Sequence, residues 1–262
     1  MVSPESPLAG RNILVTRPAH QAQHFCEFIK QAGGQPVLFP VMDIVALDES
    51  AALCGIMERL DEFAIALFVS PNAVNIALNW LHARQRRLPA HVQLGAVGRK
   101  SAQALERFGY MVSICPPGGF DSEALLALDA LQAVAGKQVV IFRGEGGREL
   151  MAQTLTARGA TVTFAEIYKR VSPDVDMAPL RQRWSRGEVN LVTITSAEGL
   201  RNLYEMLDPL MRTWLASTDM LVGHERIAAV ALQLGMKKHP WVAADPSDES
   251  MFAALLQWAQ QA

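Results

Sequence analysis

ILVTRPAHQAQHFCEFIKQAGGQPV, residues 13–37, and VVIFRGEGGRELMAQTLTARGATV, residues 139–162, write one pattern twice in the same chain. Each opens with a short run of branched apolar residues, the composition of a buried parallel strand. An arginine and a break follow, then apolar residues three and four apart, then a glycine stop. In the first copy Ala22, Phe25, Cys26 and Ile29 make the apolar stripe, and Gly33–Gly34 end it. Arg17 and Arg143 stand 126 positions apart, as do Gly33 and Gly159. FVSPNAV (68–74) aligns with ITSAEGL (194–200) at that offset, pairing Ser70 with Ser196. AVGRKSAQALERFGY (96–110) aligns with LVGHERIAAVALQLGM (221–236), pairing Gly98 with Gly223 at 125. DSEALLAL (121–128) and SDESMFAAL (247–255) pair Glu123 with Glu249. Segments in one order at nearly one offset mark an internal duplication of a unit of about 125 residues, long enough to be a domain.

Strand-like runs recur at 36–41, 64–70, 92–98, 161–168, 191–196 and 219–223, most of them followed by a break and a helix-period stretch. That alternation predicts an α/β fold: parallel sheets covered by helices on both faces, in two similar lobes with a cleft. No linker rich in Gly, Ser or Pro separates the copies at 130–138. The extended stretches PVMDIVALD (40–48) and EIYKRVSPD (166–174) hold equivalent places and read as inter-lobe connectors. If both cross, each lobe combines parts of both copies.

Half of the 262 residues are apolar and 19% charged, enough for sizeable cores. A net charge of −2 gives no global attraction to nucleic acid. The three cysteines lie far apart with no CxxC pair, which argues against both a disulfide framework and a zinc cluster. MVSPESPLAGRN at the N-terminus lacks the basic and apolar regions of a signal peptide, and no apolar run nears the ~20 residues of a membrane span. A soluble, cytoplasmic protein is expected.

RGEGGRE (143–149) asks whether the chain cradles phosphate. A P-loop needs Lys and Ser/Thr after its last glycine, but Arg148 and Glu149 follow Gly147. A dinucleotide fingerprint fails on spacing as well. Two readings stand: backbone N–H groups of Gly144 and Gly147 at a helix start, with Arg143 and Arg148, favour an anion; or the glycines make a tight turn beside a solvated arginine. Ser70 and Ser196 each end a strand before a helix, where a serine caps the helix and where open α/β sheets bind ligands. His20 and His24 have helical spacing but neither the Glu of a metalloprotease motif nor a third ligand, so no metal site is expected. His224 reads as a helix-start residue, and the eleven methionines as core. Tyr168 stands in one suspected connector beside Lys169 and Arg170, with Met42 as its partner in the first copy. A phenol can hand a hydrogen bond to a leaving group, or simply pack its ring and wet its hydroxyl.

Taken together, ILVTRP (13–18), FVSPNAV, AVGRKSAQAL (96–105), FRGEGGRELMAQTLTARGATV (142–162), EIYKR and TSAEGL resemble the uroporphyrinogen-III synthase family over essentially the whole chain. The resemblance implies one lobe from residues 1–38 and 173–262 and another from 39–172, joined by a two-stranded connector. It implies a monomeric lyase that takes linear hydroxymethylbilane, closes the macrocycle with inversion of the last pyrrole ring and releases water. No metal and no cofactor are implied, since loss of the hydroxyl gives an azafulvene stabilised by the pyrrole nitrogen, and ring inversion through a spiro intermediate is a matter of orientation. Tyr168 matches the tyrosine proposed to help the hydroxyl leave, and Ser101 stands where members carry a threonine. Helix starts after Ser70, Gly98, Gly144, Ser196 and Gly223, with Arg17, Asn72, Arg143, Gly147 and Arg148, are the expected carboxylate partners. Members show Gly-x-Thr-Thr where this chain reads Gly223-His224-Glu225-Arg226, which leaves Arg226 as the substitute there. The implied partner is a linear tetrapyrrole, with transient contact to hydroxymethylbilane synthase, and neither nucleic acid nor membrane. Two alternatives are a non-catalytic small-molecule-binding or regulatory module of the same fold, and a nucleotide-dependent enzyme, against which the missing P-loop lysine counts.

Overall fold

The computed structural model describes residues 6–118 and 121–261. The chain begins with β1 (Asn12–Val15), α1 (Ala19–Gln31) and β2 (Gln35–Leu38). Next come β3 (Asp43–Ala46), α2 (Ala51–Glu58), β4 (Ile65–Phe68), α3 (Pro71–Ala83), β5 (Gln93–Ala96), α4 (Arg99–Arg107), α5 (Ser122–Leu126), β6 (Gln138–Gly144), α6 (Leu150–Ala157) and β7 (Thr161–Val171). It ends with α7 (Ala178–Ser185), β8 (Leu191–Ile194), α8 (Ala197–Met206), α9 (Pro209–Ser217), β9 (Asp219–Val222), α10 (Glu225–Gln233), β10 (Trp241–Val242) and α11 (Asp248–Gln261). Two compact units result: residues 1–43 with 171–262, and residues 44–170. The chain therefore changes unit after Asp43 and again after Arg170, against 38/39 and 172/173 read from the sequence.

The first unit holds a five-stranded sheet in the order β10-β9-β8-β1-β2, with every neighbouring pair parallel. The second holds β3-β7-β6-β4-β5, parallel from β7 to β5, with a further parallel bridge from Gly95 to Ile114 beyond β5. Under the 126-residue repeat, β1 maps on β6, β2 on β7, β8 on β4 and β9 on β5. The two strand orders then coincide. The duplication is thus visible in topology over those four strands; the first sheet takes two strands from the first copy and three from the second, and the second sheet takes three and two.

Strand alternation divides each core by sheet face. In the first unit Leu14, Val192 and Val222 face the helices α7 to α10, while Ile13, Val15 and Leu221 face α1 and α11. In the second, Ala66, Phe68, Val140 and Phe142 face α2, α3 and α4, with Phe68 and Phe142 stacked at 4.6 Å. Ile65, Leu67, Val139 and Ile141 face α5 and α6. β7 breaks its own alternation. Arg143 pairs with Glu166 but Gly144 pairs with Tyr168, so Ile167 is an extra residue, a β-bulge. The bulge turns Tyr168 onto the face that already holds Ala165 and Ile167.

One departure from the sequence reading concerns RGEGGRE. The helix there begins at Leu150, with Glu149 as its cap, and not at the glycines. Gly144 ends β6, and the next residues turn through Gly146, whose φ of +69° suits glycine.

Asp219, at the start of β9, accepts from Trp258 Nε1 at 2.9 Å and from Lys238. Burial alone raises its pKa, but those hydrogen bonds and the charges of Lys238 and Arg11 outweigh it and hold the carboxyl below its ordinary value. A depressed carboxyl contributes stability in full above the unfolded-state pKa and loses it as pH falls through the folded value. Asp219→Asn should therefore lower Tm at neutral pH, and its gap to wild type should close below about pH 4. A gap that stays constant in melts from pH 7 to 3 rules this out.

Candidate active site

In the second unit the chain runs β4 to β5 toward one edge and β6 to β7 toward the other. Strand order reverses between β4 and β6, and crossover helices leave on opposite faces, which opens a crevice at the strands' carboxyl ends. Ser70 stands at the end of β4 and Gly144 at the end of β6. Tyr168 lies across both. Its ring packs on Gly144 so closely that a Cβ there would come within 2.4 Å of Cε2 and 2.7 Å of Cζ. Its hydroxyl reaches Ser70 Oγ at 3.0 Å. Ser70 also caps α3, accepting from the Ala73 N–H at 3.1 Å. Tyr168 is only 2% exposed, while Ser70 is half-buried.

The corresponding crevice of the first unit lies between β8 and β1. Ser196 caps α8 through the Gly199 N–H at 2.9 Å. Pro18 stands where the other unit has Gly144, and Met42 where it has Tyr168. Val41, the residue before Met42, has its carbonyl held by Asn202 Nδ2 at 3.1 Å and its side chain beside Gly199. The helix cap is shared by both units; the phenol is found in one.

Arg17 and Arg143, paired by the repeat, are each 8% exposed. Arg17 is bound to Asp248 and donates to the Pro246 carbonyl at 3.0 Å. Arg143 is bound to Glu166 at 2.7 Å, donates to the carbonyls of Gly147 and Arg148, and lies 3.5 Å over the Phe164 ring. Both guanidinium groups are thus engaged by their own units, and the 143–148 loop turns carbonyls, not N–H groups, toward Arg143. The Glu145 N–H is spent on the Tyr168 carbonyl. Arg148 itself is exposed.

Gly98 caps α4 with Ser101 one turn inside it, 3% exposed. Asn72 is half-buried in the first turn of α3. Gly223 is buried under Pro246, whose Cβ would stand 2.8 Å from an added Cβ. His224 Nδ1 caps α10 by accepting from the Arg226 N–H, and the Arg226 side chain is exposed. His24 lies against Asp248 and Phe28. Among the described residues no three His, Cys, Asp or Glu side chains lie close enough together to hold a metal ion. Burial pushes the Cys26 and Cys115 thiols up, so neither is a ready thiolate. The carboxylates that matter most here, Asp248 and Glu166, do not announce themselves in sequence. Nor does Pro246.

Residues 23–253 match the sequence model of the family described as uroporphyrinogen-III synthase HemD. The chain belongs to the uroporphyrinogen-III synthase family. It is 36% identical to the uroporphyrinogen-III synthase of Escherichia coli K12 over 86% of its length and 92% of that protein's. A mutant uroporphyrinogen III synthase from the extreme thermophile Thermus thermophilus shares the fold at TM-score 0.63 and 19% identity, covering 96% of this chain and 99% of that one. The enzyme from Helicobacter pylori 26695 does so at 0.59 and 12%, covering 95% and 99%. Within a uroporphyrinogen-III synthase, the crevice that joins Gly144, Tyr168 and Ser70 is the strongest candidate for the chemistry. Among the described residues no helix is long and apolar enough to cross a membrane.

Proposed function

We propose that the chain cyclises hydroxymethylbilane to uroporphyrinogen III, with Tyr168 as its proton source. The observation that carries the reading beyond family membership is the phenol placed over Gly144 at a strand-reversal crevice. Ionisation of the hydroxymethyl group breaks a C–O bond whose electrons leave with the oxygen. The pyrrole nitrogen stabilises the azafulvene that remains, and one proton delivered to the departing oxygen completes a water molecule. The azafulvene carbon is then attacked by the substituted carbon of the terminal ring, and the spiro intermediate rearranges to the inverted macrocycle. Since the substrate's own nitrogen supplies the electrons, the reaction calls for no metal and no cofactor. The enzyme's task is to hold one folded conformer.

The substrate's acetates and propionates are met in this proposal by the second unit's helix starts at Ser70–Asn72 and Gly98 and by its exposed Arg148. Arg143, Gly144, Gly147 and Ser101 of the same unit support these positions, Arg143 through the carbonyls of Gly147 and Arg148. A cytoplasmic location follows from the same substrate, and its spontaneous closure favours transfer by brief contact with hydroxymethylbilane synthase.

Supplying hydroxymethylbilane and resolving the isomers tests the function: isomer III should dominate, and isomer I alone at the uncatalysed rate would falsify it. Binding without turnover would instead favour a regulatory module. Arg148→Ala should weaken uroporphyrinogen III binding about threefold at low ionic strength, converging with wild type at high salt as screening removes the contribution. Equal affinity at every salt concentration would make Arg148 a bystander.

A further inference from the structure

We infer that Tyr168 does not touch the substrate and that its proton reaches the leaving hydroxyl through Ser70. The inference rests on the synthase reading above and assigns the contacting group within it. Three observations carry it. The phenol is 2% exposed and closed in by the Gly144 backbone, whereas Ser70, its hydrogen-bond partner at 3.0 Å, is half-buried. A serine oxygen has two lone pairs and one proton. The Ala73 N–H occupies one lone pair at 3.1 Å; either hydroxyl can donate across the 3.0 Å contact, and the relay assigns the donor to the phenol, which fills the other lone pair. Ser70's own proton is then the one left to point outward. Finally, the first unit keeps the capping serine, Ser196, with Met42 and not a tyrosine at the position equivalent to Tyr168, so capping alone does not require the pair.

The relay balances. As the C–O bond of the hydroxymethyl group breaks, the Ser70 proton passes to the departing oxygen and water forms. The Tyr168 proton moves to Ser70 Oγ, so no alkoxide accumulates and a phenolate remains against the Ser70 hydroxyl. When the macrocycle closes, the terminal ring loses a proton to regain aromaticity. That proton returns along the same path and restores the phenol. Ser70 is on this view a catalytic residue, while Tyr168 and Gly144 act through it.

The test uses the full-length protein, hydroxymethylbilane and single-turnover rates of isomer III formation. Tyr168→Phe and Ser70→Asn should each lower the rate about 100-fold, the size of a general-acid contribution, with substrate affinity within about threefold. Asparagine keeps the helix cap, so loss of the cap does not explain that result, and melting curves check the fold. Ser70→Thr, which keeps both cap and proton, should retain most of the rate. The double variant should be no slower than either single one, because both remove the same path. A Ser70→Asn rate within about threefold of wild type, with Tyr168→Phe impaired, would show direct donation by the phenol and overturn the relay. Multiplicative losses in the double variant would overturn it as well. If wild type forms no isomer III at all, the synthase reading itself fails.

Discussion

Gly144→Ala should cost both stability and activity, although alanine is ordinarily the better residue in a strand. Gly144 does not have a left-handed backbone, so the substitution carries no conformational strain. By restricting the unfolded chain it should even contribute about 0.5 kcal/mol of stability. Any loss therefore comes from the side chain. The new methyl would sit 2.4 Å from Tyr168 Cε2 and 3.0 Å from Cδ2, well inside contact distance. The ring cannot retreat while its hydroxyl holds Ser70 and its backbone carbonyl holds the Glu145 N–H. Overpacking of this kind costs about 1–3 kcal/mol, and a displaced phenol loses its hydrogen bond. The expected result is a lower unfolding midpoint with isomer III formation reduced at least tenfold, roughly one hydrogen bond to a reacting group. Tyr168→Leu in the Gly144→Ala background should recover stability but not activity. If Gly144→Ala melts at or above wild type and stays active, the ring does not occupy that space.

Asp248→Ala should be the most destabilising change at either ion pair. Arg17 is buried, and without Asp248 its guanidinium keeps the Pro246 carbonyl and the Phe25 ring face as neighbours. An uncompensated buried charge costs about 3–5 kcal/mol. The twin pair in the other unit makes the comparison. Glu166 is 36% exposed, and Arg143 would retain two carbonyls and the close face of Phe164. Solvent screening lowers the expected cost of Glu166→Ala to about 1 kcal/mol. Removing both charges with Arg17→Met and Asp248→Leu should recover most of the loss, since the penalty is the orphaned charge and not the missing bond. Urea midpoints measure all three. Since both arginines are 8% exposed, equal costs for Asp248→Ala and Glu166→Ala would mean that the partners and solvent left to each guanidinium do not set the penalty.

Eight of the ten strands among the described residues, and their duplication, were legible because branched apolar runs and glycine stops are local signals; β3 lay in the stretch read as a connector, and the two-residue β10 was not read. The shared strand order follows from those eight: two copies, each split at the same place, generate two sheets of one topology. The loop at 143–148 was read less well. Its glycines suggested an anion cradle, but Gly144 is small because a tyrosine 24 positions on lies across it. That contact depends on the extra residue at Ile167, and the bulge is defined by pairing with β6, 23 positions earlier in sequence at Arg143–Glu166, which β7's own residues do not specify. A signal did exist in the repeat. Gly144 and Tyr168 stand against Pro18 and Met42, so both members of the pair differ between copies. The acid partners were hidden for another reason. Arg17 takes Asp248 from a distant helix, whereas Arg143 takes Glu166 from the neighbouring strand. The repeat preserves the arginine while the acid moves, so alignment of the copies does not find it.

The interleaving of the two sheets also sets an order of assembly during synthesis. Residues 43–171 form a continuous stretch that contains all five strands of the second sheet, so that unit has every pairing partner once it has left the ribosome. β1 has no such freedom. Its backbone at Asn12 is tied to Asn190, 178 residues away, and its neighbour β8 is made late. Until then Ile13, Leu14 and Val15, fully buried in the finished protein, have only β2 beside them and an open edge. The nascent chain thus carries a sticky N-terminal arm throughout the translation of a domain that does not need it, and that arm is where chaperones would find most to hold.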